Sequence, residues 1–167
     1  MKRIFYTDGS SKGNPGPGGF GVVELTEDGK EVVQIHREYC DNTTNNREEL
    51  KAILYVVEMA ATDLDNEYII YSDSAYCVNS LNVWMHSWAR NNWMNSKKKP
   101  VENLDLIKPL WKLFNKMFFN VTLEKIAGHD GVIGNELADR LATNKINEFY
   151  TLLKIYSIKC NRFWELP

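Results

Sequence analysis

Four acidic residues stand where a lone carboxylate is costly: Asp8, Glu49, Asp73 and Asp139. Asp8 closes the apolar run Ile4-Phe5-Tyr6-Thr7, and Asp73 closes EYIIYSD (67–73) in the same way. A carboxylate ending a strand inside a sheet is pressed against an apolar core and needs a partner. Glu49 flanks the apolar stripe Leu50, Ile53, Leu54, Val57 and Ala61, and Asp139 sits beside Leu137, Ala138, Leu141 and Ala142. None of the four is given a matched basic partner by the sequence. Taken singly, each acid is more simply a turn residue, an N-cap or a helix-surface charge. Together they suit hard cations, Mg²⁺ or Mn²⁺, held by oxygen ligands with room left for water and phosphate. Two such ions about 4 Å apart activate a water and stabilise the leaving oxygen in phosphodiester cleavage. The four acids therefore point to a metal-dependent nuclease.

These acids need elements to position them. Residues 2–8 read as a buried strand, 19–27 as a second, and EVVQIHREY (31–39) as a third joined to it by a hairpin turn. The glycines and prolines of GSSKGNPGPGGFG (9–21) predict a wide, stiff turn between the first two. An amphipathic helix is expected over about 45–62, a fourth strand at 67–73 and a helix over about 74–82. Helical spacing returns at 103–118, a fifth strand at 121–126 and a core helix at 135–146. This order describes an α/β domain, a mixed sheet with helices against it. Asp8 and Asp73 then share the C-terminal edge of the strands, where ligands bind in open α/β sheets. On a helical wheel at about 100° per residue, Glu49 faces inward while Glu48 points to solvent. Glu48 also follows Asn45 by the spacing of a capping box, which gives it a structural task.

At 167 residues the chain fits one domain, and its formal charge of −2 exerts no global pull on nucleic acid, so any polyanion site is local. Three scattered cysteines (Cys40, Cys77, Cys160) fit a reducing cytoplasm and argue against a zinc site or disulfide framework. No apolar run is long enough for a signal peptide or a bilayer span. The glycine-rich stretch lacks the GK[ST] ending of a nucleotide phosphate loop, and Pro15 and Pro17 remove amides such a loop needs. Ser10, Ser72 and Ser74 lack a nucleophile-elbow setting, which argues against a serine hydrolase.

Five blocks carry a resemblance: YTDGSSKGNPGPGGFG (6–21), TTNNREEL (43–50), YSDSAY (71–76), KKPVENLDL (98–106) and GHDGVIGNELADRLA (128–142). In this order and spacing the chain resembles type 1 ribonuclease H of the bacterial kind, which cuts the RNA strand of RNA–DNA hybrids. The resemblance implies an RNase H-like fold, a five-stranded mixed sheet flanked by helices, over a catalytic domain at 1–147. It implies that Asp8, Glu49, Asp73 and Asp139 bind two Mg²⁺ ions, replaceable by Mn²⁺, with Asp8 bridging them. It further implies in-line attack by water, leaving 5′-phosphate and 3′-hydroxyl ends. His129, in a glycine-flanked loop, is otherwise a polar surface residue; the resemblance gives it a part in moving protons or releasing product. A non-catalytic hybrid-binding module, or a reverse-transcriptase-type RNase H domain, is the alternative, but no metal-binding acid is missing and the chain begins at its first strand.

Substrate contacts follow the same resemblance. Ser11, Asn14, Asn45, Asn46 and Asn79 are candidates to read the 2′-hydroxyl, with Asn45 equally well the helix N-cap. Arg47 with Thr44 is a candidate for a phosphate on the DNA strand. Within WMHSWARNNWMNSKKKPV (84–101), Trp84, Trp88, Arg90, Trp93, Lys97, Lys98 and Lys99 are either a packed aromatic cluster and a solvated turn, or the basic protrusion that grips DNA. Ala89, Met94 and Glu102 depart from the commoner bacterial pattern and predict a weaker, less processive grip, and Ala75, where glutamine is frequent, predicts the loss of one minor-groove contact. Residues 148–167 lie past the resemblance; Phe149, Leu152, Leu153 and Tyr156 suit a further helix packed on the domain. The expected partner is an RNA–DNA hybrid alone, bound by a cytoplasmic monomer.

Overall fold

The computed structural model describes residues 1–117, 119–127 and 132–160. Strands β1 (Lys2–Ser11), β2 (Gly16–Leu25) and β3 (Val32–Thr43) form an antiparallel meander, followed by helix α1 (Asn45–Ala60) and strand β4 (Glu67–Ser72). Helix α2 (Ala75–Asn79) passes through a π turn at Ser80–Trp84 into α3 (Met85–Arg90). Helix α4 (Leu104–Met117), strand β5 (Val121–Lys125) and helices α5 (Ile133–Ala142) and α6 (Ile146–Ile155) complete the described elements. The sheet order is β3-β2-β1-β4-β5, with β4 parallel to both β1 and β5. This is the mixed α/β sheet the element order implied.

Both faces of the sheet are covered, which is why β2 is buried along nearly its whole length. Val22 joins Phe5, Ile53, Val57, Ile70 and Leu110 on the side of α1 and α4. Its neighbour Val23 points the other way, to Leu137, Leu141, Phe149 and Leu153 of α5 and α6. Alternation along the strand thus fills two separate cores. The stretch after α6 returns to β3, where Val32 N donates to Lys159 O at 2.8 Å and Lys159 N to Lys30 O at 2.9 Å.

Several boundaries differ from the sequence reading. The glycine-rich stretch is mostly strand: β1 and β2 pair as far as Ser11 and Gly18, and Lys12 N closes a tight turn on Pro17 O at 2.7 Å. Glycine is required there by close approach, since a Cβ at Gly19 would lie 2.4 Å from the Tyr39 ring. The expected helix at 135–146 begins at Ile133 and stops at Ala142, because Asn144 takes a left-handed φ of 59° and Lys145 N caps Arg140 O at 2.7 Å. The helix expected at 74–82 continues through its π turn to Arg90.

Candidate metal centre and nucleic-acid cleft

Asp8 leaves β1 on the face covered by the first turn of α1, and Asp73 follows β4 directly. Gly9 sets the distance between β1 and α1. A Cβ there would meet Glu49 N at 2.3 Å and the Glu48 carbonyl carbon at 2.5 Å, so only glycine lets the helix approach this closely. The contact brings Glu49 onto Asp8, and one carboxylate oxygen from each of Asp8, Glu49 and Asp73 lies within 4.8 Å of the other two. Asp8 and Glu49 are buried and Asp73 is half-buried. Ser74 holds the turn after Asp73 by capping α2, its Oγ accepting from Cys77 N at 3.1 Å, while Ser74 N donates to Ser72 Oγ at 3.1 Å.

The electrostatics of this triad are severe without a cation. Burial, then the neighbouring Glu49 charge, pushes the Asp8 carboxyl far above the usual carboxylate range. Burial also raises Glu49, against hydrogen bonds from Asp8 and the Gly9 amide that favour its charged form. The direct contact of two acids that burial raises favours retention of a proton by the pair. Glu49 Oε2 is buried and lacks a hydrogen-bond partner. Two buried acids, one half-buried acid and an orphaned carboxylate oxygen form an all-oxygen donor set that fits a hard divalent cation.

Asp139, from α5, lines the same cleft of about 320 Å³ as the triad, together with Ser10, Asn45 and Asn46. It is not without a basic partner as the sequence suggested: Arg140 Nη1 donates to its Oδ2 at 2.7 Å. Sequence reasoning also passed over Asn135, which is 3% exposed, lines the cleft and carries an unpartnered Oδ1. Its signal was the i, i+4 spacing to Asp139, which puts both on one helical face.

Glu48 contradicts the wheel. It is fully buried rather than turned to solvent, its Oε2 accepting from Thr43 Oγ1 at 2.9 Å and pairing with Lys51 Nζ at 2.6 Å. The capping box with Asn45 is absent as well: Thr44 is the N-cap, accepting from Arg47 N at 3.2 Å. Asn45 is freed to tie the first turn of α1 to the β1–β2 turn, its Oδ1 accepting from Ser11 N at 2.6 Å and its N–H donating to Asn14 Oδ1 at 3.4 Å.

The remaining candidates lie outside the triad cleft. Arg47 makes a two-pronged ion pair with Asp105 at 2.9 and 2.7 Å. Asn79 is exposed near the end of α2. Trp84 and Trp88 meet at 6.1 Å on α3 and its approach, Trp84 remaining exposed, whereas Trp93 packs edge-on against Trp111 at 5.6 Å. Arg90 is exposed, and Lys97, Lys98 and Lys99 stand exposed on a turn bound through Asn95, whose Oδ1 accepts from Lys97 N and Lys99 N. Pairing of Met94 with Pro100 closes that turn. His129 lies outside the described residues.

A family model described as RNase H matches residues 1–147. The chain is 42% identical over 151 residues to a protein named Ribonuclease H from Jannaschia sp., covering 89% of this chain and 93% of that one. It is 44% identical over 149 residues to the Ribonuclease H of Syntrophomonas wolfei, covering 87% and 97%. Among solved structures it resembles the PFV RNase H domain, at 26% identity and a TM-score of 0.73 over 86% of this chain and 93% of that one. A foamy viral protease-reverse transcriptase in complex with RNA/DNA hybrid shares the fold at 23% identity and a TM-score of 0.73; the match covers 86% of this chain and 20% of that one.

Proposed function

The chain belongs to the ribonuclease H family, and from that premise we propose that it hydrolyses the RNA strand of RNA–DNA hybrids, leaving 5′-phosphate and 3′-hydroxyl ends. The observation that carries this reading is the convergence of Asp8, Glu49 and Asp73, with Asp139 on the same cleft and Glu49 Oε2 orphaned. When bound, two Mg²⁺ ions, replaceable by Mn²⁺, supply a water of lowered pKa and charge stabilisation at the leaving oxygen.

The chain's own groups do the rest. Asp8, Glu49, Asp73 and Asp139 would hold the cations, and Asp8 feels the charge of all three other acids. Asn45 and Asn46 offer amide groups to a 2′-hydroxyl at the cleft, and Ser11 and Asn14 brace Asn45. Arg47 can take a DNA-strand phosphate in exchange for Asp105, and exposed Lys97, Lys98 and Lys99 add positive charge for that strand. His129 is assigned proton transfer or product release, a task suited to imidazole.

The deciding experiment presents one labelled RNA as hybrid, RNA duplex and single strand, with Mg²⁺ or EDTA, to the protein and to Asp8→Asn. Cutting confined to the hybrid, abolished by EDTA and by the substitution, is expected. Cutting that survives EDTA would overturn the metal-centred reading, and hybrid binding with no cutting would favour the binding-module alternative.

A further inference from the structure

A second groove, of about 400 Å³, adjoins the catalytic cleft, and Ser10 lines both. It lies between the β1–β2 turn, the end of β3 and the break between α5 and α6. Lys12 and Lys145 border it, both exposed, against one acid, Asp41. Tyr39, 45% exposed, lines the same groove. Its hydroxyl donates to Leu141 O at 2.8 Å, and the Arg37 guanidinium lies 5.6 Å from its ring centroid. Arg37 Nη1 also donates to Asn144 Oδ1 at 3.2 Å, which locks the α5–α6 break against β3. A fixed aromatic ring in one groove with two exposed ammonium groups is the pattern that tracks a nucleic-acid strand: phosphates on the cations, a sugar or base on the ring.

The groove is on the α5 layer of the sheet, whereas Trp88 and Trp93 pack with α4 on the opposite layer. The groove and that aromatic cluster therefore lie on opposite layers of the sheet. Resting on the ribonuclease H reading, we infer that Lys12, Tyr39 and Lys145 form a further binding site for the RNA strand, holding its backbone beyond the cut. The ligand is a run of ribose phosphates continuous with the strand in the catalytic cleft.

The test is hybrid binding in EDTA by fluorescence anisotropy, for the protein and for Lys12→Ala/Lys145→Ala, across 50–200 mM salt. Two lost phosphate contacts make the slope of log affinity against log salt less negative by about 1.5. Over that range the unsubstituted protein loses about eight-fold more affinity than the variant. Four hybrids extended by single strands, on the RNA or the DNA and at either end, locate the contact. Extension of the RNA at one end strengthens binding by the protein and leaves the variant unchanged, and Tyr39→Ala reduces the same gain. Equal slopes for protein and variant, or a gain that follows only the DNA extension, overturns the site. Cleavage of hybrid by the unsubstituted protein is scored in parallel, so failure of the groove is separable from failure of the activity itself.

Discussion

Replacing Asp8 by Asn should stabilise the metal-free protein at alkaline pH even as it removes cleavage. The folded protein retains a proton in the Asp8–Glu49 pair that the unfolded chain, with ordinary carboxyl values of 3.8 and 4.5, has already released. Protons bound by the native state and not by the unfolded state make stability fall as pH rises. Each pH unit costs about 1.4 kcal/mol per retained proton, so about pH 5 to 8 sets a ceiling near 4 kcal/mol. Water entry and side-chain relaxation around a half-open site reduce that to about 2 kcal/mol. Asparagine reproduces the shape and donor of a protonated Asp8 without the liability, so it escapes this loss.

The assay is thermal unfolding in EDTA of both proteins from pH 5 to 8. Near pH 5 the two melt together. At pH 8 the variant melts higher by about 4–8 °C, taking about 2–4 °C per kcal/mol for a chain of this length. Saturating Mg²⁺ closes the gap by binding the native acids; a hundred-fold excess over Kd adds about 2.7 kcal/mol to the unsubstituted protein. A gap that is the same at every pH, or a variant that melts lower at pH 8, would refute the shared-proton assignment.

Gly9→Ala should separate β1 from α1, because its methyl group would lie 2.3 Å from Glu49 N. Cleavage is lost and stability falls by about 3 kcal/mol in urea titration; a fully active variant would deny that Gly9 sets the acid spacing. Phe149→Ala, in the α5–α6 core, should cost about 3–5 kcal/mol of unfolding free energy, and an unchanged midpoint would mean that α6 contributes nothing to the fold. His129→Ala should lower the cleavage rate about 10²-fold under single-turnover or steady-state conditions, less than loss of any triad acid; an unaltered rate in both regimes removes it from the reaction.

Asp8 and Asp73 were legible because an apolar strand ending in an acid is a local pattern, readable within about seven residues. Glu49 needed only one helical turn beyond that. Glu48 misled because a wheel assumes one buried face, yet the first turn of α1 is enclosed on a second side by Thr43 and Lys51. Arg140 was passed over because adjacent helical residues point apart in general; a long guanidinium folds back along the helix to Asp139. The glycine-rich stretch reads locally as a turn, yet it pairs as strand with β1 and β3, where the Tyr39 ring lies on Gly19. That ring is itself fixed by a hydrogen bond to Leu141, 102 residues away. The four candidate acids lie within regular elements or, like Asp73, directly after one, so their placement is written into local periodicity. The groove at Lys12, Tyr39 and Lys145 is assembled only when three distant segments meet, which leaves it no local signature at all.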